Sequence, residues 1–363
     1  MTNYLLAGGG TGGHVNPLLA LAERIRKLEP ESHVYALGTL EGLESKLVPE
    51  RGFELLTIAR LPFPRRLNGY ALSFPLKFNR AVRQIQKIIS EREIEVVVGF
   101  GGYASAPAYI AAKRSRVPFV IHEANALPGL ANKLGAPAAS AVGVAFKSTK
   151  LRNSTLTGMP LRQEIEDAIA ASSPTASREA LGLEPNVTTL LVTGGSLGAR
   201  SLNNAIDDAQ SALDAAGIQV LHIIGSASDL PEVRTKALIR IKYCDEMDKA
   251  ISAADLAVCR SGASTVCEFG SFGLPSIFVP YPVGNGEQRF NAADLVDAGG
   301  ALVVDDANFT GEYVRDQVIP LISNPKRLKA MSVAAKAASI ADGTQRLYEL
   351  VRSVLPSNAV SHK

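Results

Sequence analysis

The 363-residue sequence lacks an apolar stretch long enough to cross a bilayer. The nearest candidate, residues 96–112, is interrupted by glycine, tyrosine and proline, whereas a membrane-spanning helix needs about 20 predominantly apolar residues. The N-terminus also lacks the basic and apolar regions of a secretory signal. We therefore expect a protein that is neither secreted nor membrane-spanning, with enough residues for two domains.

Cysteine and histidine are scarce and scattered. Cys244, Cys259 and Cys267 show no CxxC spacing and lie in apolar surroundings, as buried, reduced thiols do. The five histidines show no spacing typical of metal ligands. The sequence therefore predicts no metal site and no bound cofactor.

Aspartate is absent from the first 158 residues. That part carries 20 lysines and arginines against 11 glutamates, a net charge of +9, whereas the remainder carries 18 against 24 acidic residues, a net charge of −6. The overall charge of +3 hides this asymmetry. We infer that the two parts face different partners.

Acidic residues are also absent from residues 55–90, where basic and apolar residues are interleaved. The basic residues are Arg60, Arg65, Arg66, Lys77, Arg80, Arg83 and Lys87, and the apolar ones are Leu61, Phe63, Leu67, Tyr70, Leu72, Phe74, Leu76 and Phe78. This combination favours contact with an anionic membrane surface, where each Lys or Arg contributes about 1 kcal/mol. A nucleic-acid partner is not predicted, because no binding module is recognisable. The alternative is an amphipathic helix whose apolar side is ordinary core.

What the sequence does contain is glycine at the ends of apolar runs. The run Tyr4–Ala7 is followed by six residues of which five are glycine, then by His14 and an apolar pattern with helical spacing. This order predicts a strand, a tight loop and a helix. Such a loop exposes backbone N–H groups at a helix N-terminus, where an anion is favoured.

Two interpretations of this loop remain open. Gly8, Gly10 and Gly13 fit the dinucleotide pattern G-x-G-x-x-G, and Glu41 lies near the usual position of the ribose carboxylate, so an NAD-dependent oxidoreductase is one alternative. His14 does not belong to such a loop and is a candidate general base, because its ordinary pKa of about 6.5 lies near working pH. It is otherwise a polar residue at a helix start.

The strand, glycine loop and helix pattern recurs along the chain. It appears at residues 94–112, and again at 188–206 after a predicted hinge at 152–162. Another strand ends in His122 and Glu123, which have either a site role or a structural one, bonding to each other or to a loop backbone. The repetition predicts an α/β fold of two doubly wound parallel-sheet domains facing across a cleft.

The second half adds residues suited to a sugar nucleotide. Residues 263–272 form a predicted helix in which Glu268 can accept hydrogen bonds from a ribose diol. Gln288 lies in a polar loop before another helix, and its amide suits hydroxyl-rich groups. A non-catalytic lipid-binding protein, the third class considered, would leave these residues without a role.

Taken together, these motifs resemble the MurG family of bacterial N-acetylglucosaminyltransferases over nearly the whole chain. The matching segments are GGGTGGH (8–14), GFGGYAS (99–105), HEAN (122–125), GMPLR (158–162), GGSLGAR (194–200), CRSGASTVCE (259–268) and EQRFNA (287–292). The resemblance implies a GT-B fold with two Rossmann-like domains. Its expected boundaries are 1–158 for the acceptor and membrane domain, 159–337 for the UDP-sugar domain, a last helix at about 338–355 packing back on the first domain, and a tail at 356–363.

The resemblance also implies an activity: inverting transfer of N-acetylglucosamine from UDP-N-acetylglucosamine to the C4 hydroxyl of lipid I, forming lipid II. No Asp-x-Asp pair of the kind that holds a metal in many transferases stands out. His14 is the expected base, and Glu123 is the reserve candidate. The expected location is peripheral, on the cytoplasmic face of the cell membrane, with partners among cell-wall synthesis proteins.

Site residues follow from the resemblance by position. Donor contacts are expected at Thr11, Gly12, Gly13, Asn125, Arg162, Ser196, Cys244, Ala263, Ser264, Thr265, Val266, Cys267, Glu268 and Gln288. Acceptor contacts are expected at Gly101, Gly102 and Tyr103. Within the donor set, Glu268 is expected to contact the ribose, and Cys244 is expected to contact the base through its backbone. Ala124, Met159 and the VGNGE loop before Gln288 depart from the family pattern, and the last of these affects fine details of sugar contact but not the reaction.

Overall fold

The computed structural model describes residues 1–64, 66, 68–283 and 285–356. The chain divides into two compact units. Unit 1 contains Met1–Gln163 together with the C-terminal segment from Asp342, and unit 2 contains Glu164–Ala341. These limits lie a few residues beyond the boundaries expected from the sequence.

Unit 1 is built on a parallel sheet of seven strands in the order β3-β2-β1-β4-β5-β6-β7. The strands are β1 (Asn3–Ala7), β2 (His33–Gly38), β3 (Glu54–Thr57), β4 (Val96–Gly99), β5 (Phe119–Glu123), β6 (Ala141–Val144) and β7 (Ser154–Leu156). The helices are α1 (Gly12–Leu28), α2 (Glu44–Glu50), α3 (Gly69–Glu91), α4 (Ser105–Ser115) and α5 (Leu130–Gly135), with a 3₁₀ turn at Ala136–Ala138.

Strand β1 explains why the central strands are apolar along their whole length. Tyr4 and Leu6 pack with α1 on one face of the sheet, and Leu5 and Ala7 pack with α3 and α4 on the other. A parallel strand covered on both faces is expected to be a nearly continuous apolar run. Strand β7, at the sheet edge, lies within the segment predicted as a hinge, and this segment belongs to unit 1, whose first part ends at Gln163.

Unit 2 contains a second seven-stranded sheet, in the order β10-β11-β9-β8-β12-β13-β14. Its strands are β8 (Thr189–Thr193), β9 (Gln219–Ile223), β10 (Val233–Arg234), β11 (Leu238–Ile241), β12 (Leu256–Cys259), β13 (Ser276–Phe278) and β14 (Ala301–Val303). Its helices are α6 (Gln163–Ala170), α7 (Pro174–Leu181), α8 (Arg200–Ala215), α9 (Met247–Ala253), α10 (Ala263–Phe272), α11 (Glu287–Asn291), α12 (Ala293–Asp297), α13 (Gly311–Tyr313), α14 (Ile319–Ile322) and α15 (Pro325–Ala338), with a 3₁₀ turn at Asp306–Asn308 and a π-helical turn at Val314–Val318. Strand β10 pairs antiparallel with β11, whereas the remaining pairs are parallel.

The last helix, α16 (Gly343–Ser353), belongs to unit 1. Leu347 and Val351 are fully buried and pack in the same apolar cluster as α1 and the sheet. Thr344 fixes the start of the helix, because its hydroxyl accepts a hydrogen bond from Leu161 N at 3.0 Å and donates to Leu161 O at 3.1 Å. The sequence thus returns to its first domain through one amphipathic helix.

Candidate active site

The predicted glycine loops lie at the points where strand order reverses in each sheet. In unit 1 the reversal falls between β1 and β4, and in unit 2 between β8 and β12. Ligands of open α/β sheets bind at the carboxyl ends of the strands on either side of such a point. The topology therefore selects four loops as candidate ligand sites, two in each unit.

The loop after β1 is shorter than predicted, because α1 begins at Gly12. Gly12, Gly13 and His14 consequently form the first helical turn, and only Gly8–Thr11 make the loop. Thr11 is the N-cap but makes no side-chain cap hydrogen bond; its hydroxyl lies 3.3 Å from His14 Nδ1. The first N–H groups of a helix have no partner within the helix, so this turn presents donors to a ligand.

A buried carboxylate occupies one N–H of this loop. Glu44, only 1% exposed, accepts hydrogen bonds from Gly10 N at 2.8 Å, Thr39 N at 2.8 Å and Thr39 Oγ at 3.0 Å. Burial raises the pKa of Glu44, but these hydrogen bonds outweigh it and hold the pKa below its usual value. The Gly10 amide is therefore occupied within the protein, which weighs against the dinucleotide alternative, in which this loop binds a pyrophosphate.

His14 joins the two loops of unit 1. Its Nδ1 lies 3.0 Å from the carbonyl oxygen of Gly9, and because a carbonyl only accepts, this contact assigns the proton to Nδ1 and a lone pair to Nε2. Nε2 faces the second loop, since a Cβ built on Gly101 would lie 3.1 Å from it. The tautomer is the one required of a general base acting through Nε2.

The second loop, after β4, lies against the first. Gly102 has φ +79°, and a Cβ there would lie 2.5 Å from Gly9 O, so only glycine permits this approach. Tyr103 is half-buried, and the exposed guanidinium of Arg60 lies over its ring at 5.0 Å from the centroid. The predicted acceptor residues Gly101, Gly102 and Tyr103 are therefore brought together beside His14, with a cation near them.

The HEAN segment has a structural role in unit 1. Glu123, 3% exposed, accepts hydrogen bonds from Asn125 N, Gly129 N and Asn132 Nδ2, each at 2.9 Å. These three donors hold the loop after β5 and satisfy the carboxylate, so the geometry favours His14 over Glu123 as base.

His122 has a similar structural role. It is fully buried, with Nε2 3.0 Å from Gly158 O. Burial lowers the pKa of His122 to about 4. The sequence left open whether His122 and Glu123 bond to each other or to loop backbone, and in the structure both bond to loop backbone. Asn125 and Arg162, the remaining donor candidates of unit 1, are half-buried.

In unit 2, the loop after β8 is tied down by backbone contacts. Ser226 donates to the carbonyl of Ser196 through its N–H at 2.9 Å and its hydroxyl at 3.1 Å. Gly198 has φ +84°, and a Cβ there would lie 2.0 Å from Ile224 O. The exposed Ser196 is thus held at the start of a fixed turn that leads into α8.

The loop after β12 leads directly into α10. Ala263, Ser264 and Thr265 form its first turn, and their N–H groups have no partner within the helix. Val266 is buried, and its N–H donates to Gly262 O at 3.0 Å, so its side chain is part of the core. Glu268 lies in the second turn and is 9% exposed.

The other predicted donor contacts of unit 2 are held by their surroundings. Gln288 accepts a hydrogen bond from Tyr281 N at 2.9 Å, which orients its amide. Burial raises the pKa values of Cys244 and of Cys267, so both thiols stay protonated. Gly284, in the loop before Gln288, lies outside the described residues.

Three residues of these sites were missed by sequence reasoning. Glu44 and Asn132 hold the loops of unit 1. In unit 2, Arg260 donates to Val279 O at 3.0 Å and Pro280 O at 3.2 Å, and pairs with Asp306. The only signal for them was a polar residue next to a glycine loop, which is too common to single out a site.

The surface of α3 has an apolar and a basic part. Leu72 and Leu76 are 82% and 77% exposed, and Phe63, whose ring packs against Phe74 of α3, is 58% exposed. Arg80, Arg83 and Lys87 continue the helical spacing of the two leucines and are exposed. We call Leu72, Leu76, Arg80, Arg83 and Lys87 the α3 stripe. Arg65 and Leu67, part of the same predicted surface, lie outside the described residues.

The other face of α3 is ordinary core. Ala81, Val82, Ile85 and Ile89 are buried against the sheet, so the ordinary-core interpretation holds for this face, and membrane contact of the exposed face stays a prediction. None of the helices in the described part of the chain is both long and apolar enough to span a membrane.

Comparison with family models places known domains on both units. Residues 4–144 match the Glycosyltransferase family 28 N-terminal domain, and residues 189–347 match the Glycosyltransferase family 28 C-terminal domain. A curated relative from Clavibacter sepedonicus is 53% identical over 98% of both chains, and one from Streptomyces coelicolor is 45% identical over 98% of this chain and 99% of its own. Both are named UDP-N-acetylglucosamine–N-acetylmuramyl-(pentapeptide) pyrophosphoryl-undecaprenol N-acetylglucosamine transferase.

Solved structures agree with the fold. MurG from Acinetobacter baumannii superposes with a TM-score of 0.79 at 26% identity, covering 97% of this chain and all of that one. The UDP-GlcNAc 2-epimerase of Neisseria meningitidis, at 11% identity and a TM-score of 0.67 over 97% of this chain and all of its own, shares the fold alone. The predicted GT-B class of two parallel-sheet α/β domains is confirmed.

Proposed function

The chain belongs to glycosyltransferase family 28, and from this we propose that it transfers N-acetylglucosamine from UDP-N-acetylglucosamine to lipid I, forming lipid II for peptidoglycan synthesis. The observation that carries the proposal is the 53% identity to a relative with this name across 98% of both chains. Four of the seven matching motifs, those that follow β1, β4, β8 and β12, also lie at the strand-order reversals of the two sheets, where ligands bind.

In this proposal unit 2 binds the donor. The N-terminal turn of α10 offers backbone N–H groups to the diphosphate, Glu268 binds the ribose, and the segment at Cys244 contacts the base. Gln288, held by Tyr281 N, contacts the sugar. Thr11, Asn125 and Arg162 of unit 1 complete the donor contacts, as the family resemblance implies.

The chemical step is a direct displacement. The C4 hydroxyl of N-acetylmuramic acid attacks the anomeric carbon from the face opposite UDP, and the new C–O bond forms as the bond to the diphosphate oxygen breaks. The proton passes to His14 Nε2, UDP leaves with the bonding electrons, and the configuration inverts. Backbone dipoles at α10 and the charge of Arg162 stabilise the leaving diphosphate.

The acceptor is proposed to bind at the second loop of unit 1. Gly101 and Gly102 bring backbone close to His14, and Tyr103 with Arg60 above it supplies a polar, cationic edge. A diphosphate-linked acceptor suits such an edge, because a guanidinium forms charge-assisted hydrogen bonds to phosphate.

The assignment of His14 is tested by His14→Ala, with His33→Ala as matched control. His33 is an exposed histidine at the start of β2, far along the strand from its ligand-binding end. Turnover of the His14 variant should fall by about 10²–10⁴-fold, while the His33 variant keeps wild-type turnover. A loss smaller than about tenfold in folded His14→Ala protein would contradict the base assignment.

The substrate class is tested by thermal unfolding. UDP-N-acetylglucosamine at 100 times its Kd adds about 2.7 kcal/mol to stability and raises the melting temperature, whereas NADH leaves it unchanged. A rise with NADH alone would instead support the oxidoreductase alternative.

We further propose that the α3 stripe attaches the protein to the cytoplasmic face of the cell membrane. Leu72 and Leu76 enter the interface, while Arg80 and Arg83 attract anionic lipid headgroups. Attachment at this surface would bring the protein to its lipid-linked acceptor and to other cell-wall synthesis proteins.

Vesicle sedimentation tests the attachment. Binding to phosphatidylglycerol vesicles should weaken with rising salt, and R80Q/R83Q should lower the partition coefficient about 30-fold, since each charge contributes about 1 kcal/mol. L72S/L76S should also release the protein. V333S, which changes an exposed valine on α15 of unit 2, is the matched control and should bind as wild type does. Salt-independent binding, or equal loss in the control, would contradict the proposal.

A further inference from the structure

The peptide group between Gly9 and Gly10 joins Glu44 to His14. Its N–H, on Gly10, donates to Glu44 Oε2 at 2.8 Å, and its carbonyl, on Gly9, lies 3.0 Å from His14 Nδ1. A peptide group is planar, and its N–H and C=O are fixed relative to one another. The arrangement is therefore a continuous hydrogen-bonded chain from carboxylate through one peptide group to imidazole.

The protein is shaped around this carboxylate. A Cβ on Gly9 would lie 2.2 Å from Glu44 Oε1, one on Gly42 would lie 2.1 Å from Oε2, and one on Gly38 would lie 2.4 Å from Glu44 Cγ. Three glycines, in the loop after β1, at the end of β2 and in the segment before α2, thus admit one buried side chain. With Thr39 supplying two further hydrogen bonds, Glu44 has little freedom to leave the Gly10 amide.

The physical effect of such a chain is on the imidazole. A carboxylate that accepts from the peptide N–H polarises the peptide, so its carbonyl becomes a stronger acceptor. A stronger carbonyl acceptor holds the proton on His14 Nδ1 and directs the lone pair to Nε2. In serine hydrolases a carboxylate bonded to Nδ1 has this orienting role directly; here a peptide group would stand between the two.

We propose that Glu44 is a positioning residue for His14, acting through the Gly9–Gly10 peptide group. The role rests on the proposed transferase function, because it presupposes that His14 is the base. In this role Glu44 orients the imidazole of His14 and fixes its tautomer. Glu44 contacts neither substrate in this proposal.

The kinetic test is Glu44→Gln, with Glu50→Gln as matched control. Glutamine keeps the size of the side chain but places an NH₂ donor where the carboxylate accepts hydrogen bonds from N–H groups. Glu50 is on the same helix and pairs only loosely with Lys46, at 3.8 Å on the surface. We expect kcat of E44Q to fall at least tenfold, which is part of the 10²–10⁴-fold rate effect of a general base. The donor KM of E44Q should stay within threefold of the wild-type value, and E50Q should match wild type in both.

A double variant separates positioning from a general loss of structure. If Glu44 acts through His14, H14A/E44Q should have the same kcat as H14A within threefold, because the residue it positions is gone. If the two losses multiply, the proposal is overturned. Glu44→Asp, which retracts the charge by one methylene, extends the comparison should E44Q fold poorly, and it should lose at least fivefold in kcat.

A spectroscopic measurement needs no variant. In ¹⁵N-histidine-labelled wild-type protein at neutral pH, His14 should show the Nδ1–H tautomer, with Nε2 resonating as an unprotonated nitrogen. An Nε2–H tautomer would overturn the proposal. Wild-type turnover distinguishes the two hypotheses: inactive wild-type protein argues against the transferase function, whereas active wild-type protein with E44Q equal to E50Q argues against the role of Glu44 alone.

Discussion

One carboxylate holds the C-terminal helix α16 to unit 1, and its contacts predict how firmly the helix is bound. Glu29, at the end of α1, accepts hydrogen bonds from Tyr4 OH at 2.9 Å, Ser32 Oγ at 2.8 Å and Tyr348 OH at 2.8 Å. Arg352 Nη1 lies 3.4 Å from the same carboxylate. Two of these four partners, Tyr348 and Arg352, belong to α16.

The magnitude follows from the number of bonds that cross to α16. A hydrogen bond to a charged group contributes about 1.5–3 kcal/mol, and the half-exposed ion pair to Arg352 adds at most about 1 kcal/mol. Glu29→Gln should therefore lower the free energy of opening α16 by about 2–3 kcal/mol, and Tyr348→Phe by somewhat less. Leu347 and Val351 remain buried in both variants, so α16 stays docked.

Hydrogen exchange measured by mass spectrometry reports this local opening directly. Amides of α16 should exchange about 30- to 150-fold faster in E29Q than in wild type, because each 1.4 kcal/mol is tenfold. Glu31→Gln, an exposed glutamate two residues away, is the matched control and should leave α16 protected. Exchange of α16 in E29Q within threefold of wild type would refute this account of how the helix is held.

The same site predicts a pH dependence. Burial raises the pKa of Glu29, but hydrogen bonds from Tyr348, Ser32 and Tyr4 outweigh it, so the folded pKa lies below its ordinary value of 4.5. A carboxyl with a depressed folded pKa contributes stability that is present above the unfolded pKa and lost as pH falls through the folded pKa. Protection of α16 in wild type should therefore decline below about pH 4.5, and E29Q should lack this decline.

Three further predictions concern the loops and the buried core. Gly102→Ala should abolish transferase turnover and lower the melting temperature, because the Cβ would meet Gly9 O at 2.5 Å. Gly69→Ala, at the start of α3 with open space around it, should instead stabilise the protein by about 0.4–1 kcal/mol. Equal melting temperatures of the two variants would contradict this. Burial and Arg240 lower the pKa of His222 to about 3. As pH falls below about 6.5, the unfolded state therefore binds a proton that the folded state does not, and stability should fall by up to about 1.4 kcal/mol per pH unit until about pH 3. Urea titrations measure this slope, and H222Q should flatten it. Glu268→Gln should raise the Kd for UDP-N-acetylglucosamine about 10- to 100-fold in calorimetry, with the exposed E312Q as control, and an unchanged Kd would remove Glu268 from the donor site.

The parts of the fold that follow from local chemistry were predictable from the sequence. Apolar runs that end in glycine gave the central strands and the loops at both strand-order reversals, because a buried parallel strand and a tight turn each require particular residue types. The last helix was also predictable as amphipathic, and its return to unit 1 came from the family resemblance. The edge strands β7 and β10 were not predicted, since three- and two-residue strands with polar side chains carry no periodic signal.

The site was less predictable where tertiary contacts decide the role. Glycine at Gly12 and Gly13 disfavours a helix by about 1 kcal/mol each, so the sequence pointed to a longer loop than the structure has. Glu41 matched the spacing of a ribose carboxylate, but it is exposed, whereas Glu44, three residues later at the start of α2, is buried against the loop after β1. The choice between the two glutamates depends on the space that Gly9, Gly38 and Gly42 leave for one side chain, and the contact with Gly9, which lies in a different loop, is not visible in the local sequence.

In the proposed function the two units use the same strand, loop and helix pattern for different chemistry, and the loops differ in what they bind within the protein. In unit 1 the carboxylate of Glu44 takes the Gly10 amide, so this loop carries its own negative charge and is suited to support an imidazole base. In unit 2 the corresponding loop is fixed through the Ser196 carbonyl, a contact that uses an acceptor and leaves N–H groups at the following helix start for a ligand. A glycine-rich loop therefore does not by itself predict a phosphate site. A buried carboxylate that occupies one amide of such a loop withdraws that donor from a ligand, and E44Q tests whether in unit 1 this carboxylate supports the base instead.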